Sequence, residues 1–318
     1  MKVFKKTRKN LKTDNQTGFG TNASNYGGRF LAKDGSANIE KRGLSFFDQI
    51  SWFHTLLRLP AWKFQLMIFL VFIFVNFIFA TIYYFIGIEH LNGIIASSEI
   101  EKFGQIYFFS AQTFTTVGYG HISPEGFLTS AVASGEALIG LLGFAIATGL
   151  FYGRFSRPKA HLKFSENAII APFQGGKSLM IRVASYKNTN LTDAEAKLTL
   201  AMTVEENGVY VNRFFPLDLE YSTINALTLS WTLVHHITEE SPLFEFTKDD
   251  FANEKGEVLV FLKAFDEMFS NTVAIRTSYI FKEIVYGAKF LQMFKHSNDN
   301  TKTIIHIDKL NLFEEINF

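Results

Sequence analysis

The sequence contains no cysteine and almost no excess of charge of either sign. Without cysteine, disulfide frameworks, thiolate metal sites and thiol catalysts are all excluded. The 31 lysine and arginine residues nearly balance the 30 aspartate and glutamate residues, for a formal net charge of +1. Because the basic residues are clustered instead of forming a continuous stripe, nothing here predicts nucleic acid as a partner.

The N-terminus does not fit a secretory signal peptide. The first long apolar stretch begins near Trp62, after a long polar and basic lead. A chain of 318 residues has room for a short membrane module and one soluble domain. We therefore predict four regions: an N-terminal segment (1–44), an interfacial helix (45–60), a transmembrane module (61–155) and a soluble domain (156–318).

Two apolar stretches are long enough to cross a membrane as helices. The first, Trp62 to Ile88, carries only Lys63 as a charge, and the second, Phe127 to Tyr152, carries only Glu136. Aromatic residues at both ends of the first stretch fit the belts found at membrane interfaces. A buried helix of a soluble protein is the alternative for each stretch, but their length and pairing favour two spans.

The distribution of lysine and arginine predicts the orientation of these spans. The connector between them carries Lys102 as its only lysine or arginine, beside four glutamates. Basic residues are concentrated outside it: Lys2, Lys5, Lys6, Arg8, Lys9, Lys12, Arg29, Lys33, Lys41, Arg42 and Arg58 before the first span, and Arg154, Arg157, Lys159 and Lys163 after the second. Both termini are therefore predicted to be cytoplasmic.

The connector contains Thr116-Val117-Gly118-Tyr119-Gly120, which resembles the selectivity filter of potassium channels. In such a filter, backbone carbonyls replace the hydration shell of K⁺, and the two glycines reach positive φ without steric cost. Residues 103–115 before it are predicted to form a short pore helix whose C-terminal dipole favours a cation. A chance glycine-rich turn is the alternative. One chain supplies one wall of a pore, so four copies are required.

The second span is predicted to line the route from the filter to the cytoplasm. Gly140, Phe144, Thr148 and Tyr152 recur every four residues and are assigned to one pore-facing side. Four Tyr152 rings would form a gate, although a tyrosine of an interfacial belt is an open alternative. Glu136 is a functional candidate, either as a hydrogen-bonded support behind the filter or as a direct contact for ions.

Three glycines of the second span leave another question open. Gly140, Gly143 and Gly149 allow either helix bending or close helix packing, and the sequence does not separate the two. Before the first span, Phe46 to Leu59 carries apolar residues on one side and is ended by Pro60. This pattern predicts an amphipathic helix on the inner membrane surface, with a soluble amphipathic helix as the alternative.

From about Lys159 onwards the periodicity changes from helical to alternating. Ala196 to Val204, Leu227 to His235, Glu257 to Phe265 and Thr272 to Phe281 all alternate as half-buried strands do. Several short strands without a helix of comparable length predict a β-sandwich. No catalytic constellation is visible, and the adjacent pair His235 and His236 would point to opposite faces of a strand, which makes it a poor metal site.

Several segments together resemble the inward-rectifier potassium channels, especially their prokaryotic (KirBac-like) branch. The segments are Gly28 to Gly35, Arg154 to Lys159, Leu233 to Leu243, Phe265 to Thr272 and Arg276 to Tyr279. The resemblance implies an α+β membrane protein: a homotetramer with two spans per chain, a re-entrant pore helix and filter, and an immunoglobulin-like cytoplasmic β-sandwich that extends the pore. It further implies K⁺ as the permeant ion, no organic cofactor, no enzymatic activity, and a bacterial inner membrane.

The same resemblance assigns further site residues. A loop from about Ala264 to Thr272, with Met268, would narrow the cytoplasmic pore. The anionic-lipid site would lie at the basic hinge, where headgroups attract cationic side chains. That hinge consists of Arg154, Arg157 and Lys159. Charges that only set the membrane topology are the open alternative for the hinge.

Departures from the family pattern bear on block and on filter support. Phe144 stands where strongly rectifying members carry a cavity acid, and Lys263 replaces a second acid, whereas Asp193 keeps a third. Block by polyamines or Mg²⁺ is therefore predicted to be weak, and Ba²⁺ is a further candidate blocker. Gln112 stands where many members have a glutamate, so the filter must be supported by neutral hydrogen bonds.

These features together predict a channel that conducts K⁺ passively. A transporter is disfavoured, because there are two spans and no inverted repeat of broken helices. A membrane-anchored binding module with a closed pore is the second alternative. Voltage sensing is excluded, since no span is rich in arginine. The gating stimulus is not predicted.

Overall fold

The computed structural model describes residues 12–14, 17–20, 28–43, 45, 51–206 and 208–316. The chain divides into two compact units. The helical unit is Arg42–Arg157, and the β unit combines Met1–Lys41 with Pro158–Phe318.

The described part of the helical unit contains two long helices and two shorter ones. They are α1 (Trp52–Arg58), α2 (Ala61–Ile86), α3 (Glu99–Phe114) and α4 (Phe127–Phe155). α2 and α4 are long and apolar enough to cross a membrane. Large apolar side chains on both helices are exposed, such as Phe74 at 64% and Leu141 at 58%. The core helix of a soluble protein would bury such residues, so this surface suits a lipid environment.

Local sequence signals explain where these helices begin and end. α2 follows Pro60 and stops before Gly87, whose φ of +117° is open to glycine but strained for other residues. α3 begins four residues earlier than the apolar pattern indicates, because the Ser98 side chain caps the helix by accepting from the N–H of Glu101 at 3.2 Å. α4 continues three residues past Tyr152.

A small two-stranded sheet closes the connector between the long helices. β1 (Leu91–Asn92) pairs with β2 (Ser123–Pro124) in antiparallel fashion. The chain passes very close to itself here, since a Cβ at Gly93 would lie 2.0 Å from the carbonyl oxygen of His121. The residue directly after Gly120 is therefore tied to the segment that follows α2.

The β unit is built from two five-stranded sheets. Its strands, in chain order, are β3 (Leu162–Phe164), β4 (Ala168–Phe173), β5 (Gly176–Ser185), β6 (Leu191–Glu206), β7 (Val209–Leu217), β8 (Thr223–Ala226), β9 (Ser230–His236), β10 (Gly256–Asp266), β11 (Asn271–Ile280), β12 (Ile284–Tyr286), β13 (Ala288–Phe290), β14 (Phe294–His296), β15 (Thr303–Ile305) and β16 (Phe313–Glu315). One sheet has the order β11-β10-β6-β7 with β8 beside β6, and the other has the order β12-β4-β5-β3 with β9 beside β5. Two small sheets pair β13 with β16 and β14 with β15, and helix α5 (Lys248–Asn253) lies between β9 and β10 in the chain.

The two sheets share one apolar core. Leu200 and Val260 from the first sheet and Ile181 and Leu233 from the second all belong to it. Alternate residues of each strand enter this core, which is the arrangement of a β-sandwich. The predicted fold class is confirmed: two apolar helices with a short helix and filter loop between them, followed by a β-sandwich.

The alternating stretch Leu227 to His235 is a strand from Ser230 onwards, whereas its first three residues lie between two strands. β8 ends at Ala226 and pairs with β6, whereas β9 begins at Ser230 and pairs with β5. The chain crosses from one sheet to the other between them, and Leu227 is buried at the crossover. The alternation continues through this crossover because both sheets face the same core, so periodicity alone does not reveal it.

An N-terminal segment (residues 28–38) is part of the β unit. The fully buried carboxylate of Glu257 accepts hydrogen bonds from the backbone N–H groups of Phe30, at 2.6 Å, and Leu31, at 3.0 Å. Arg29 forms a forked ion pair with Glu283, with N–O distances of 3.1 and 3.2 Å. Such charge-assisted and bidentate contacts are the stronger hydrogen bonds of proteins, so this segment is firmly docked.

The same segment approaches strand β11 closely. A Cβ at Gly35 would lie 2.2 Å from the carbonyl oxygen of Arg276, so the fit requires glycine. The Lys33 ammonium lies 3.7 Å above the ring of Tyr279 and donates to the carbonyl of Glu166 at 2.7 Å. Burial lowers the pKa of Lys33, with Glu283 acting in the opposite direction.

Candidate functional site

The loop after α3 has a backbone conformation that few residues adopt. φ is +60° at Thr116, +50° at Gly118 and +81° at Gly120. A Cβ at either glycine would meet no atom within 4 Å, so conformation and not space makes glycine the suitable residue. Thr116 is β-branched and therefore strained, at a cost on the order of 1–3 kcal/mol. Left-handed residues at every second position mark this loop as functional.

The last turn of α3 holds the backbone of this loop. The N–H groups of Val117 and Gly118 both donate to the carbonyl of Gln112, at 2.9 and 3.3 Å. The N–H of Thr116 donates to the carbonyl of Thr113 at 3.0 Å. Gln112, for which neutral hydrogen bonds were predicted, thus contacts the loop through its main-chain carbonyl. The C-terminal end of the α3 dipole leads directly into the loop, which favours a cation there.

In the single chain, the aromatic and apolar side chains of the loop are exposed. Tyr119 is 78% exposed and Val117 is 53% exposed. A membrane protein does not leave an irregular loop of this kind against lipid, because its backbone groups would lack partners. The loop therefore requires either further protein or a water-filled space around it.

A buried carboxylate on α4 contacts both α2 and α3. Glu136 is fully buried, and its two oxygens accept from the hydroxyls of Tyr83, at 2.6 Å, and Ser110, at 2.5 Å. The partners come from α2 and α3, so three helices meet at this group. Of the two roles considered for Glu136, this geometry favours the hydrogen-bonded support. The sequence alone did not predict that Tyr83 and Ser110 bond Glu136. Polar residues within apolar membrane segments are the signal that could have identified them.

The predicted pore-facing row on α4 divides into two parts. Phe144 is 73% exposed and Tyr152 is 74% exposed, and Thr148 between them is also exposed. Gly140 instead packs on α3, because a Cβ there would lie 1.9 Å from the carbonyl oxygen of Phe114. Assigning Gly140 to the same open face was wrong. Each step of four residues turns by about 40° on a helix of 3.6 residues per turn, so Gly140 and Tyr152 differ by about 120°.

The three glycines of α4 differ in their surroundings. Gly140 approaches the backbone of α3, and a Cβ at Gly143 would lie 3.5 Å from the ring of Phe114. A Cβ at Gly149 would have no neighbour within 4 Å. α4 itself is continuous from Phe127 to Phe155. Close packing thus accounts for Gly140, whereas Gly149 makes no contact that would demand glycine.

Helix α1 packs near the end of α4. Leu57 is buried, and its Cδ2 would lie 3.7 Å from a Cβ at Gly153. α1 therefore lies beside the residue that follows Tyr152. The remainder of the predicted amphipathic helix, including Phe46, Phe47 and Ile50, lies outside the described residues, as do the side chains of three residues within α1.

The basic hinge residues are not equivalent. The Arg154 guanidinium lies 5.3 Å above the ring of Phe64, which is a cation–π distance. Arg157 and Lys159 are exposed. Lys63, at the start of α2, is exposed as well and was not considered as a lipid ligand from the sequence.

Polar residues from the predicted cytoplasmic pore line a groove of about 550 Å³ in the β unit. Lys263 on β10 forms an ion pair with Glu195 on β6 at 2.6 Å, and Asp193 lies in the same groove with φ of +47°. The hydrogen bond from Lys263 lowers the pKa of the Glu195 carboxyl, with Lys197 contributing in the same direction. Glu195 was missed because only the register of β6 against β10 pairs it with Lys263.

The predicted pore loop from Ala264 to Thr272 is mostly strand. β10 extends to Asp266 and β11 begins at Asn271, which leaves a short turn. Ala264 is 1% exposed and belongs to the core of the sandwich, although it also borders the groove that contains Asp193 and Lys263. Met268 lies in the turn and is 84% exposed.

The histidine pair has separate partners. The Nδ1–H of His235 donates to the carbonyl of Asp218 at 2.7 Å, and its Nε2 accepts from the hydroxyl of Ser241 at 2.8 Å. His236 lies 3.2 Å from the Ser178 hydroxyl. Across the described ranges, no group of three or more histidine, aspartate or glutamate residues is arranged to hold a metal ion.

The fold and the loop together define a class of protein: a membrane channel subunit with two spans and a potassium-type filter. Comparisons with known families agree. Residues 162–318 match the inward rectifier potassium channel C-terminal domain, and residues 68–157 match an ion channel family.

Individual relatives point the same way. The chain is 32% identical to the inward rectifier potassium channel Kirbac3.1 of Paramagnetospirillum magnetotacticum, over 87% of this chain and 92% of that one. It is 26% identical to the inward rectifier potassium channel irk-1 of Caenorhabditis elegans, over 88% of this chain and 56% of that one. It is also 26% identical to the ATP-sensitive inward rectifier potassium channel 12 of Bos taurus, over 88% of this chain and 71% of that one.

The chain therefore belongs to the inward-rectifier potassium channel family, and the predicted resemblance to its prokaryotic branch is confirmed. It is a membrane protein for ion transport, with K⁺ as the permeant ion. The family is one of ion channels and not of enzymes.

Proposed function

We propose that four copies of this chain form one potassium-selective pore that conducts K⁺ passively down its electrochemical gradient. The observation that carries this proposal is the left-handed backbone at Thr116, Gly118 and Gly120, held by the carbonyl of Gln112. Neighbouring copies would cover Tyr119, which is open in the single chain. Fourfold symmetry would surround an ion with carbonyls that one chain cannot supply.

The ion sites proposed are the backbone carbonyls of Thr116 to Tyr119 and the Thr116 hydroxyl, with Gly120 at the outer end. These are hard oxygen donors without net charge, which suits a dehydrated monovalent cation. K⁺ is both the permeant ion and the ligand of this site, and the proposal needs no organic cofactor.

The proposed gate lies at the end of α4. Phe144, Thr148 and Tyr152 form an exposed stripe, and a ring of tyrosines can exclude ions by occupying space and by dewetting. Met268 in the β10–β11 turn is proposed as part of a second, cytoplasmic constriction. Tyr152→Ala should raise Rb⁺ flux severalfold, while Phe155→Ala, one turn away and equally exposed, should leave it unchanged. Unchanged flux in Tyr152→Ala would place the gate elsewhere.

Anionic lipid is proposed to act at the basic hinge, with both termini in the cytoplasm and the protein in a bacterial inner membrane. Arg157 and Lys159 have exposed side chains, while Arg154 is packed on Phe64. Each exposed cation near an anionic surface contributes about 1 kcal/mol. Arg157→Gln should therefore weaken the response of flux to anionic lipid more than Arg154→Gln does.

Weak block by polyamines and Mg²⁺ is proposed, with Ba²⁺ as a blocker of the filter itself. Phe144 places an aromatic ring where an acid would attract a polycation. Lys263 adds positive charge to the cytoplasmic groove and pairs with Glu195, which leaves Asp193 as the remaining acid there. Submicromolar block by spermine would contradict this part of the proposal.

Uptake of ⁸⁶Rb⁺ into liposomes tests the central proposal. Suppression of uptake by K⁺ and Ba²⁺, but not by Na⁺, is the expected result, with cross-linking of the same sample showing four copies. Gly118→Ala, which strains a residue at φ of +50°, should abolish uptake. Suppression by Na⁺ equal to that by K⁺ would overturn the selective filter. No uptake in any lipid mixture would favour a membrane-anchored binding module.

A further inference from the structure

A chain of polar groups crosses the three helices around the filter. Asn76 and Tyr83 lie on α2, Ser110 lies on α3 and Glu136 lies on α4, and all four are fully buried. The Ser110 hydroxyl is 2.5 Å from Glu136 and 3.2 Å from both the side-chain and main-chain oxygens of Asn76. The Tyr83 hydroxyl donates to the other Glu136 oxygen at 2.6 Å.

This cluster contacts α3 close to the residue whose carbonyl holds the filter loop. Ser110 lies two residues before Gln112, whose carbonyl accepts from Val117 and Gly118. A shift or rotation of α3 at Ser110 would therefore move the Gln112 carbonyl and the loop with it. The Asn76 side chain donates to the carbonyl of Phe72 at 2.7 Å, which fixes its oxygen toward Ser110.

We propose that Asn76, Tyr83 and Ser110 are positioning residues for the selectivity filter, which act through Glu136 as one polar clamp on α3. The proposal rests on the proposed pore. Apolar packing alone leaves α3 free to slide or turn, because apolar contacts have little directionality. Hydrogen bonds from two helices to one carboxylate define a single position, and a selective filter depends on such fixed geometry.

Position 136 must offer an acceptor for the Tyr83 hydroxyl and a group that bonds the Ser110 hydroxyl in either direction. Both Asn76 oxygens next to Ser110 are acceptors, so the single Ser110 proton can serve either Asn76 or Glu136, not both. A side-chain amide offers one acceptor for Tyr83 and one donor for Ser110, which frees the Ser110 proton for Asn76. Glu136→Gln is therefore the conservative replacement, and Glu136→Ala removes the clamp.

Two pairs of variants separate the clamp from general effects of losing a hydroxyl. Ser110→Ala is compared with Ser134→Ala, because the Ser134 hydroxyl only bonds its own helix. Tyr83→Phe is compared with Tyr84→Phe, whose hydroxyl bonds the exposed Glu99 at 3.3 Å. Tyr83→Phe keeps the ring contact with Phe109, at 5.2 Å between centroids, and so preserves packing.

The test measures K⁺-over-Na⁺ discrimination and Ba²⁺ affinity in ⁸⁶Rb⁺ flux, in liposomes that hold the full chain. Ser110→Ala and Tyr83→Phe should each lower the discrimination about tenfold, the effect of one buried hydrogen bond, while both controls keep it. Size-exclusion profile and melting temperature are recorded on the same samples. Glu136→Gln should keep the discrimination, and Glu136→Ala should lose it.

Several outcomes would overturn the clamp. Wild-type discrimination and Ba²⁺ affinity in both Ser110→Ala and Tyr83→Phe would do so, and so would equal losses in Ser134→Ala and Tyr84→Phe. Loss in Glu136→Gln as large as in Glu136→Ala would show that charge, and not positioning, is the contribution. A wild-type protein without selective uptake would instead overturn the proposed pore. Should Ser110→Ala fail to assemble, Tyr83→Phe decides the question.

Discussion

The helical unit and the β unit achieve their stability in different ways. In the β unit, two sheets enclose one large apolar core to which nearly every long strand contributes. The described core of the helical unit is small, with Tyr83, Ile106 and Phe109 as its largest members, and most other apolar side chains point outward. A unit of the first kind carries its own hydrophobic stabilisation, whereas one of the second kind gains much of it from lipid and from neighbouring copies.

Both units hold buried carboxylates, and Glu136 in the helical unit and Glu257 in the β unit have different kinds of partner. Glu136 accepts from side-chain hydroxyls on two other helices, and Glu257 accepts from backbone N–H groups of the N-terminal segment. The side-chain partners of Glu136 can be removed one at a time by substitution. The backbone N–H partners of Glu257 persist in every variant, so only a substitution of Glu257 itself removes those hydrogen bonds.

The largest effect on conduction is expected where the backbones of α3 and α4 meet in the helical unit. Gly140→Ala places a Cβ 1.9 Å from a main-chain oxygen, which has no flexible side chain to yield. α4 must move away from α3, at a cost typical of overpacking of about 1–3 kcal/mol, so Rb⁺ flux should fall at least about tenfold. Gly149→Ala, with open space around it, is the matched control and should conduct normally. Equal flux in the two variants would contradict the packing role of Gly140.

A second prediction concerns Glu257 and tests whether residues 28–38 can detach from the β unit while its sandwich stays folded. Glu257→Ala removes a charged acceptor for two N–H groups, which should lower the free energy of docking on the order of 2–4 kcal/mol. Hydrogen exchange at residues 29–38 should then accelerate strongly, while the sandwich core stays protected. Glu267→Ala, at an exposed turn position, serves as control. Slow exchange in Glu257→Ala would show that Arg29 and Lys33 suffice.

A third prediction concerns the groove of the β unit that contains Lys263. A substitution there should change block of the channel by spermine with little change in melting temperature. Lys263→Glu replaces the ion pair with Glu195 by two acids, and four copies would form an acidic ring. Spermine should then block about tenfold more strongly, with Lys263→Ala intermediate. The melting temperature should change little, because an exposed ion pair contributes at most about 1 kcal/mol. Unchanged block would remove this groove from the conduction route.

The smallest effect is a pH dependence of the β unit. Burial lowers the pKa of His235 below the ordinary imidazole value near 6.5. The unfolded chain therefore binds the proton more readily, and stability falls as pH drops below about 6.5. Melting curves of the full chain should show this slope, and it should be smaller in His235→Gln. His296→Gln, at an exposed position, should keep it.

Much of the fold could be predicted because local chemistry specifies it. Two uninterrupted apolar stretches require helices in lipid, and alternating residues require strands with one buried face. Prediction failed where distant parts of the chain decide the outcome. The crossover at Leu227 is invisible to alternation because both sheets face one core. Ala264 was placed in a loop, although the long register of β10 with β11 makes it a core residue.

For the site, the sequence by itself determined the conformation of the proposed filter loop, since Gly118 and Gly120 reach left-handed conformations that other residues resist. It also determined the two spans and the family, which depend on composition and motif. Only the tertiary structure decided that Gly140 packs on α3, that Glu195 faces Lys263, and that Tyr83 and Ser110 meet Glu136. Those contacts join residues far apart in the chain, and their distances follow from helix packing and strand register, which no local pattern encodes.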